Sequence, residues 1–167
     1  MSERHEQAGL ALRVQRGTRT ISAQHRQLDD FYLHVAAALD GGQTETARAV
    51  FLRFSDALEA HFALEDGLYF PALRGLRPGL AGDLERLCDE HQQLRETLVR
   101  VAHSIESGSE TCARLLHQFA GDLAEHEGRE EGLLASIQKP ARERRRAGHI
   151  TSAVVLEFQE APCKSDS

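Results

Sequence analysis

Apolar residues recur at alternating steps of three and four along four stretches of the chain, which is the spacing of one face of an α-helix. The stretches cover about residues 18–39, 43–70, 80–107 and 109–138. Breaks rich in glycine or proline separate them, at residues 40–42, 71–79 and 108. Four long amphipathic helices with short connections predict an all-α fold, an up-down-up-down antiparallel four-helix bundle.

The bundle is expected to occupy residues 18–138, after an N-terminal segment of residues 1–17. A C-terminal extension, residues 139–167, follows it. This tail begins with a basic run, residues 141–149, and continues with an apolar, β-branched run, residues 150–158. Three interpretations of the tail stay open: a short strand, a docking segment and a flexible extension.

Histidine interrupts each of the four apolar stripes once, and in two stripes a glutamate follows four residues later. In the second helix, for example, the stripe reads Val50, Phe54, Ala57, His61, Glu65 and Leu68. Stripe positions face the bundle core, where an imidazole or carboxylate costs free energy unless it is paired or bound to a metal. The six interrupting residues are His25, His61, Glu65, His91, His126 and Glu130.

The four histidines also share one level of the predicted bundle. Counted from the helix ends, they fall at matching positions in neighbouring antiparallel helices, within roughly 5 Å at a rise of about 1.5 Å per residue. A histidine and a glutamate four residues apart lie on one helix face, so both can reach the same centre. We therefore predict that these six side chains bind two metal ions, with open positions left for a small ligand.

The kind of metal follows partly from the donor atoms. Imidazole nitrogen and carboxylate oxygen together suit iron, zinc or manganese, so the residues alone leave these three open. Among the other histidines, His34, His103 and His117 lie off the stripes and are expected at the surface. Asp29 and Glu90, close to His25 and His91 in sequence, are either solvated or acceptors for a ligand histidine.

Composition narrows the class of protein further. The 167 residues are 41% hydrophobic and 28% charged, with a net charge of −6, which argues against a nucleic-acid-binding protein. We expect no membrane association, because no run of about 18 apolar residues occurs. Three cysteines without close pairing and a first decapeptide without an apolar segment predict a cytoplasmic protein. Monomer and homodimer both stay open.

Four short motifs carry a resemblance to a known family. The segments QHRQLDD around His25, HFALED with His61 and Glu65, DEHQQL with His91, and HEGREE with His126 and Glu130 resemble the hemerythrin-like, or HHE cation-binding, domains. The resemblance covers about residues 18–138. It implies a non-haem di-iron centre, two iron ions bridged by oxygen and carboxylates, with a small diatomic ligand or peroxide as its partner.

The match departs from the family's oxygen carriers in the third helix. Those proteins have a further histidine four residues before the position of His91, and this chain has Leu87 there. Arg95, four residues after His91, does not replace it. The oxygen carriers also place their last acidic ligand five residues after the histidine of the fourth helix, which would be Glu131. The apolar stripe favours Glu130 instead.

The leading functional hypothesis is a di-iron binding protein that reacts with, senses or stores oxygen, nitric oxide, peroxide or iron. One alternative is a redox enzyme or iron donor in nitric-oxide or oxidative stress and iron-sulphur cluster repair, so enzymatic activity stays open. A second alternative is a metal-free interaction bundle. The loss of one ligand position makes the site less similar to a carrier and more similar to a reactive or sensing centre.

Overall fold

The computed structural model describes residues 2–138, and all of its regular elements in that range are helical. Its α-helices are α1 (Ser2–Asp40), α2 (Thr44–Leu64), α3 (Phe70–Leu76), α4 (Ala81–Glu106) and α5 (Cys112–Gln138). A π-helical turn, Glu65–Tyr69, joins α2 to α3, and a 3-10 turn, Pro78–Leu80, precedes α4. Our predictions for the tail, residues 139–167, lie outside the described residues.

Contacts between α1 and the segment from α2 to the π-helical turn show an antiparallel pair. His25 meets His61 with 4.9 Å between ring centroids, and Thr18, earlier in α1, meets Tyr69, later in the second segment, at 2.8 Å between oxygens. The antiparallel order of these first two segments agrees with the predicted topology.

None of the helices described between residues 2 and 138 combines the length and the apolar character of a membrane-spanning helix.

The remaining helices continue the alternation. Side chains of α2 and α4 pair in opposite chain order, and so do those of α1 and α5. The contacts are Glu59 with Arg95, Phe62 with His91, Tyr32 with His117 and His25 with Glu130. The prediction of an up-down-up-down bundle is therefore confirmed.

The main apolar cluster lies on one side of the histidine level, and further buried residues such as Ile21, Leu73 and Leu84 lie on the other side. Phe54 of α2 and Phe119 of α5 meet edge to face in the main cluster, with 5.8 Å between ring centroids. The predicted stripe of α4 is buried from Leu84 to Ile105. Cys112 is buried at the start of α5.

The π-helical turn shifts the core face of the second segment by one residue. Leu68, predicted to continue the stripe, is 54% exposed, whereas Tyr69 and Phe70 are 3% and 1% exposed. The N–H of Phe70 donates to the carbonyl of Glu65, five residues earlier, so this turn contains one residue more than an α-helical turn. The prediction for Leu68 was wrong for this reason.

Two predicted helix ends also differ from the structure. The second helical segment continues past Pro71 to Leu76, because Pro71 lies in the first turn of α3, where a missing backbone N–H costs least. The first helix begins at Ser2 and not near Thr18. The added residues are rich in strong helix formers but carry no regular apolar stripe, so periodicity did not reveal them.

Gly17 offers a test of the packing between α1 and the π-helical turn. A Cβ at this position would lie 2.5 Å from Cδ2 of the buried Tyr69. Gly17→Ala should therefore lower the free energy of unfolding by about 1–2 kcal/mol, because overpacking outweighs the gain in helix propensity. Gly121→Ala, where a Cβ meets nothing within 4 Å, should instead raise it by up to about 1 kcal/mol. Urea unfolding measures both, and equal gains for the two variants would contradict the packing argument.

Candidate metal centre

All six side chains predicted for the metal site lie together inside the bundle. His25 is 4% exposed and the other five are fully buried. Every long helical segment contributes: α1, α2 with its π-helical turn, α4 and α5. The structure thus brings the whole predicted set into one cluster, and its role in metal binding stays a prediction.

The cluster divides into two groups of potential metal ligands that share Glu65. The first group is His25, His61, Glu65 and Glu130, and the second group is Glu65, His91 and His126. Within each group, one donor atom per residue lies within 4.8 Å of all the others. Oε1 of Glu65 lies 3.3 Å from Nε2 of His61, and Oε2 lies 3.1 Å from Nε2 of His91. The two oxygens of one carboxylate therefore face different groups.

The distances between donor atoms fit bound cations. Two atoms about 2.1 Å from one ion lie about 3.0 Å apart in octahedral and about 3.4 Å apart in tetrahedral geometry. Here Nε2 of His91 is 3.1 Å from Nε2 of His126, and Nε2 of His25 is 3.3 Å from Oε2 of Glu130. Within residues 2–138, the buried oxygens of Glu65 and Glu130 have no hydrogen-bond partner outside this pair of carboxylates. Buried oxygens left in this state indicate a site built for cations.

Burial shifts the proton affinities of the cluster in opposite directions. Desolvation lowers the pKa of His61 to about 3 and that of His91 to about 4, and it also lowers the pKa of His126. Desolvation and the facing carboxylate of Glu130 raise the pKa of Glu65 well above its ordinary range. Without a cation, burial therefore favours neutral rings at His61, His91 and His126 and a protonated Glu65. A bound cation would instead favour the ionised carboxylate of Glu65.

Three of the histidines have an acceptor at the ring nitrogen that faces away from the shared glutamate. Nδ1 of His91 lies 2.8 Å from Oδ1 of Asp66, and Nδ1 of His126 lies 2.9 Å from Oε2 of Glu90. Nδ1 of His61 lies 3.3 Å from Oε1 of Gln24. Such acceptors fix the tautomer of a metal-binding histidine and leave Nε2 free to donate its lone pair.

Of these three acceptors, the sequence indicates only Glu90, as one of two interpretations and because it precedes His91. In the structure Glu90 contacts His126 on the neighbouring helix instead. Asp66 and Gln24 were missed, although Asp66 directly follows Glu65 and is the second carboxylate of the HFALED motif. Asp29 is exposed.

Two phenylalanine rings restrict the orientation of the His91 ring. Phe62 stacks on it with 4.1 Å between centroids and 24° between planes, and Phe70 stacks with 5.7 Å and 13°. His34, His103 and His117 are exposed, as predicted. Glu130 lies in the cluster, whereas Glu131 is exposed, which agrees with the stripe and not with the spacing of the oxygen carriers.

Fold and site together define a class: a four-helix bundle with a buried histidine and glutamate cluster that can hold metal ions. The family model of the hemerythrin HHE cation-binding domain matches residues 16–137, and the chain belongs to this family. Comparisons with curated proteins and with solved structures gave no significant match. Family and geometry agree on a metal-binding helical protein.

The pKa shifts predict a stability maximum near pH 6.5 for the metal-free protein. Below the ordinary histidine pKa of 6.5, His61, His91 and His126 become protonated in the unfolded chain but stay neutral in the folded protein. The free energy of unfolding therefore decreases as the pH falls. Above the ordinary glutamate pKa of 4.5, folded Glu65 keeps a proton that the unfolded chain loses, so its contribution falls with rising pH. The three histidines outweigh Glu65 below pH 6.5. Above pH 6.5 Glu65 dominates, and Cys88 and Cys112 add to the decline toward pH 9, because burial raises the pKa of both thiols.

Urea unfolding of the chelator-treated protein between pH 5 and pH 9 tests this balance. Each group changes the free energy of unfolding by at most about 1.4 kcal/mol per pH unit. Glu65→Gln should flatten the decline above pH 6.5 and keep the decline below it. A decline above pH 6.5 that is identical in Glu65→Gln would show that another group causes it.

Proposed function

We propose that the chain is a non-haem di-iron protein that reacts with, senses or stores a small species such as oxygen, nitric oxide, peroxide or iron. The observation that carries this proposal is the position of Glu65 between two groups of donors, 3.3 Å from His61 and 3.1 Å from His91. A buried carboxylate with one oxygen toward each group suits two neighbouring cations better than one. Membership in the hemerythrin family favours iron over zinc or manganese, which the same donors would accept.

Each ion would have its own set of ligands. His25, His61 and Glu130 would hold one ion together with Oε1 of Glu65, and His91 and His126 would hold the other together with Oε2. Iron bound in this way would supply reversible one-electron chemistry and coordination positions for a small ligand.

Three properties of the protein itself support such a centre. The low pKa values of His61 and His91 keep both rings neutral at physiological pH, which is the form that binds metal. The second group has three protein donors, so an ion with six positions would keep room for a further ligand. His126 also lines a groove of about 430 Å³ between α4 and α5, which offers an approach for small molecules.

Metal analysis tests the proposal directly. Protein loaded anaerobically and then desalted should hold about two iron ions per chain, because each group supplies a separate set of donors. The double variant His61→Ala/His126→Ala removes one imidazole from each group and should lose most of the iron. His103→Ala changes an exposed histidine of α4 and should keep it. Equal iron contents in all three proteins would overturn the proposal.

The optical spectrum of the loaded protein under argon, oxygen and nitric oxide separates the roles. A spectrum that changes with one of these gases indicates a reactive or sensing centre. A spectrum that stays constant under all three gases, together with rapid release of the iron to a chelator, indicates storage. Turnover of peroxide or nitric oxide beyond that of free iron would support the redox-enzyme alternative.

Metal should also stabilise the fold, and this separates the proposal from a metal-free interaction bundle. A cation at about a thousand times its dissociation constant stabilises the folded state by about 4 kcal/mol. Removing it should lower the thermal midpoint by about 8–16 °C for a chain of this size. Scanning calorimetry before and after chelation measures the shift. An unchanged midpoint would favour the metal-free bundle.

A further inference from the structure

The second group of donors is supported from outside by two chains of polar contacts. In the first, which we name the His91 chain, Nδ1 of His91 contacts Asp66 at 2.8 Å. The other oxygen of Asp66 lies 3.6 Å from Arg95, and Arg95 contacts Glu59 at 2.9 Å. The chain runs from a fully buried ring to a glutamate side chain that is 48% exposed.

The His126 chain repeats this order on the neighbouring helices. Nδ1 of His126 contacts Glu90 at 2.9 Å, and the other oxygen of Glu90 contacts Nε of Arg129 at 2.9 Å. Arg129 then lies 3.5 Å from Glu125, whose side chain is 76% exposed. Both chains therefore have the order histidine, carboxylate, arginine and exposed glutamate.

His61 of the first group has a different kind of support. Its Nδ1 faces Oε1 of Gln24, a neutral amide, at the longer distance of 3.3 Å. A hydrogen bond to a carboxylate is shorter and roughly twice as strong as one to a neutral acceptor. The described contacts thus give both histidines of the second group anionic support and give His61 neutral support.

Each of these two carboxylates also contacts an arginine. Arg95 and Arg129 contact the second oxygen of Asp66 and Glu90, which fixes the orientation of each carboxylate. Arg95 is itself fixed over the ring of Phe62, 5.0 Å from its centroid. A carboxylate held in this way accepts from Nδ1–H, raises the basicity of Nε2 and adds negative charge close to an ion.

We propose that Asp66 and Glu90 are positioning residues that selectively strengthen the binding of the metal ion held by His91, His126 and Glu65. This inference rests on the proposed function, since it requires that both groups bind ions. It assigns carboxylate support to both histidines of the second ion, whereas His61 of the first group faces an amide.

Cobalt(II) titration of the metal-free protein tests the proposal. Visible absorption reports the geometry of each bound ion, and competition with a chelator gives each affinity. Asp66→Asn and Glu90→Gln keep the shape of the side chain and remove its charge. Each substitution should lower the affinity for one of the two ions by about 10–100-fold and change the spectrum of that ion. The affinity and the spectrum of the other ion should stay the same. His126→Ala, which removes a donor of the second group, identifies the affected ion.

Two further variants provide the controls. Asp89→Asn removes the same charge from the exposed residue next to Glu90 and should leave both ions unchanged. Arg129→Gln keeps Glu90 but removes the arginine contact to its second oxygen. This variant should lower the affinity for the ion that Glu90→Gln affects, by a smaller factor. Because Arg129 is half-exposed, this variant decides the question even if Glu90→Gln does not fold.

The outcomes separate this inference from the proposed function. A wild-type protein that binds no cobalt(II) would overturn both. Two bound ions that Asp66→Asn, Glu90→Gln and Arg129→Gln leave unchanged, or weaken equally, would overturn the positioning role and leave the proposed metal centre standing. Selective loss at the ion identified by His126→Ala supports the inference.

Discussion

The burial of Glu65 is the constraint on which the rest of the site depends. A carboxylate with no exposed surface, facing the equally buried Glu130, is costly as an anion unless positive charge lies beside it. Burial lowers the pKa of His61, His91 and His126, so these three rings do not supply that charge as imidazolium. A proton on Glu65 or a cation between the groups would remove the cost. The apolar core, centred on contacts such as that of Phe54 with Phe119, must carry the stability of the metal-free fold.

The π-helical turn is the local feature that lets one segment serve the site in several ways. It contains Glu65, which faces both donor groups, and Asp66, which supports His91. Phe70, directly after the turn, stacks on the same histidine. In an uninterrupted α-helix the apolar pattern would have placed Leu68 toward the core. The extra residue of the turn leaves Leu68 at the surface and places Tyr69 and Phe70 in the core. π-helical turns occur frequently at functional sites.

Periodicity predicted the fold and the six residues of the cluster because both depend on helix faces. His91 and His126 interrupt long apolar stripes, and such an interruption is visible in a single sequence. The π-helical turn is not visible in this way, since it depends on which side chains the neighbouring helices bury, and so Leu68 was misplaced. Gln24 was missed for a related reason: it lies beside the stripe of its own helix, and only the packing of α1 against α2 brings it to His61.

The carboxylates that contact His91 and His126 bear on what the proposed centre could do. The second group has one donor fewer than the first, so its ion would have more open coordination positions and fewer bonds to the protein. In the positioning role proposed for them, Asp66 and Glu90 would offset that deficit without occupying a coordination position. A reactive or sensing centre requires an ion that the protein binds firmly and that still has a position for a small ligand. The proposed role of Asp66 and Glu90 therefore supports reaction or sensing ahead of storage.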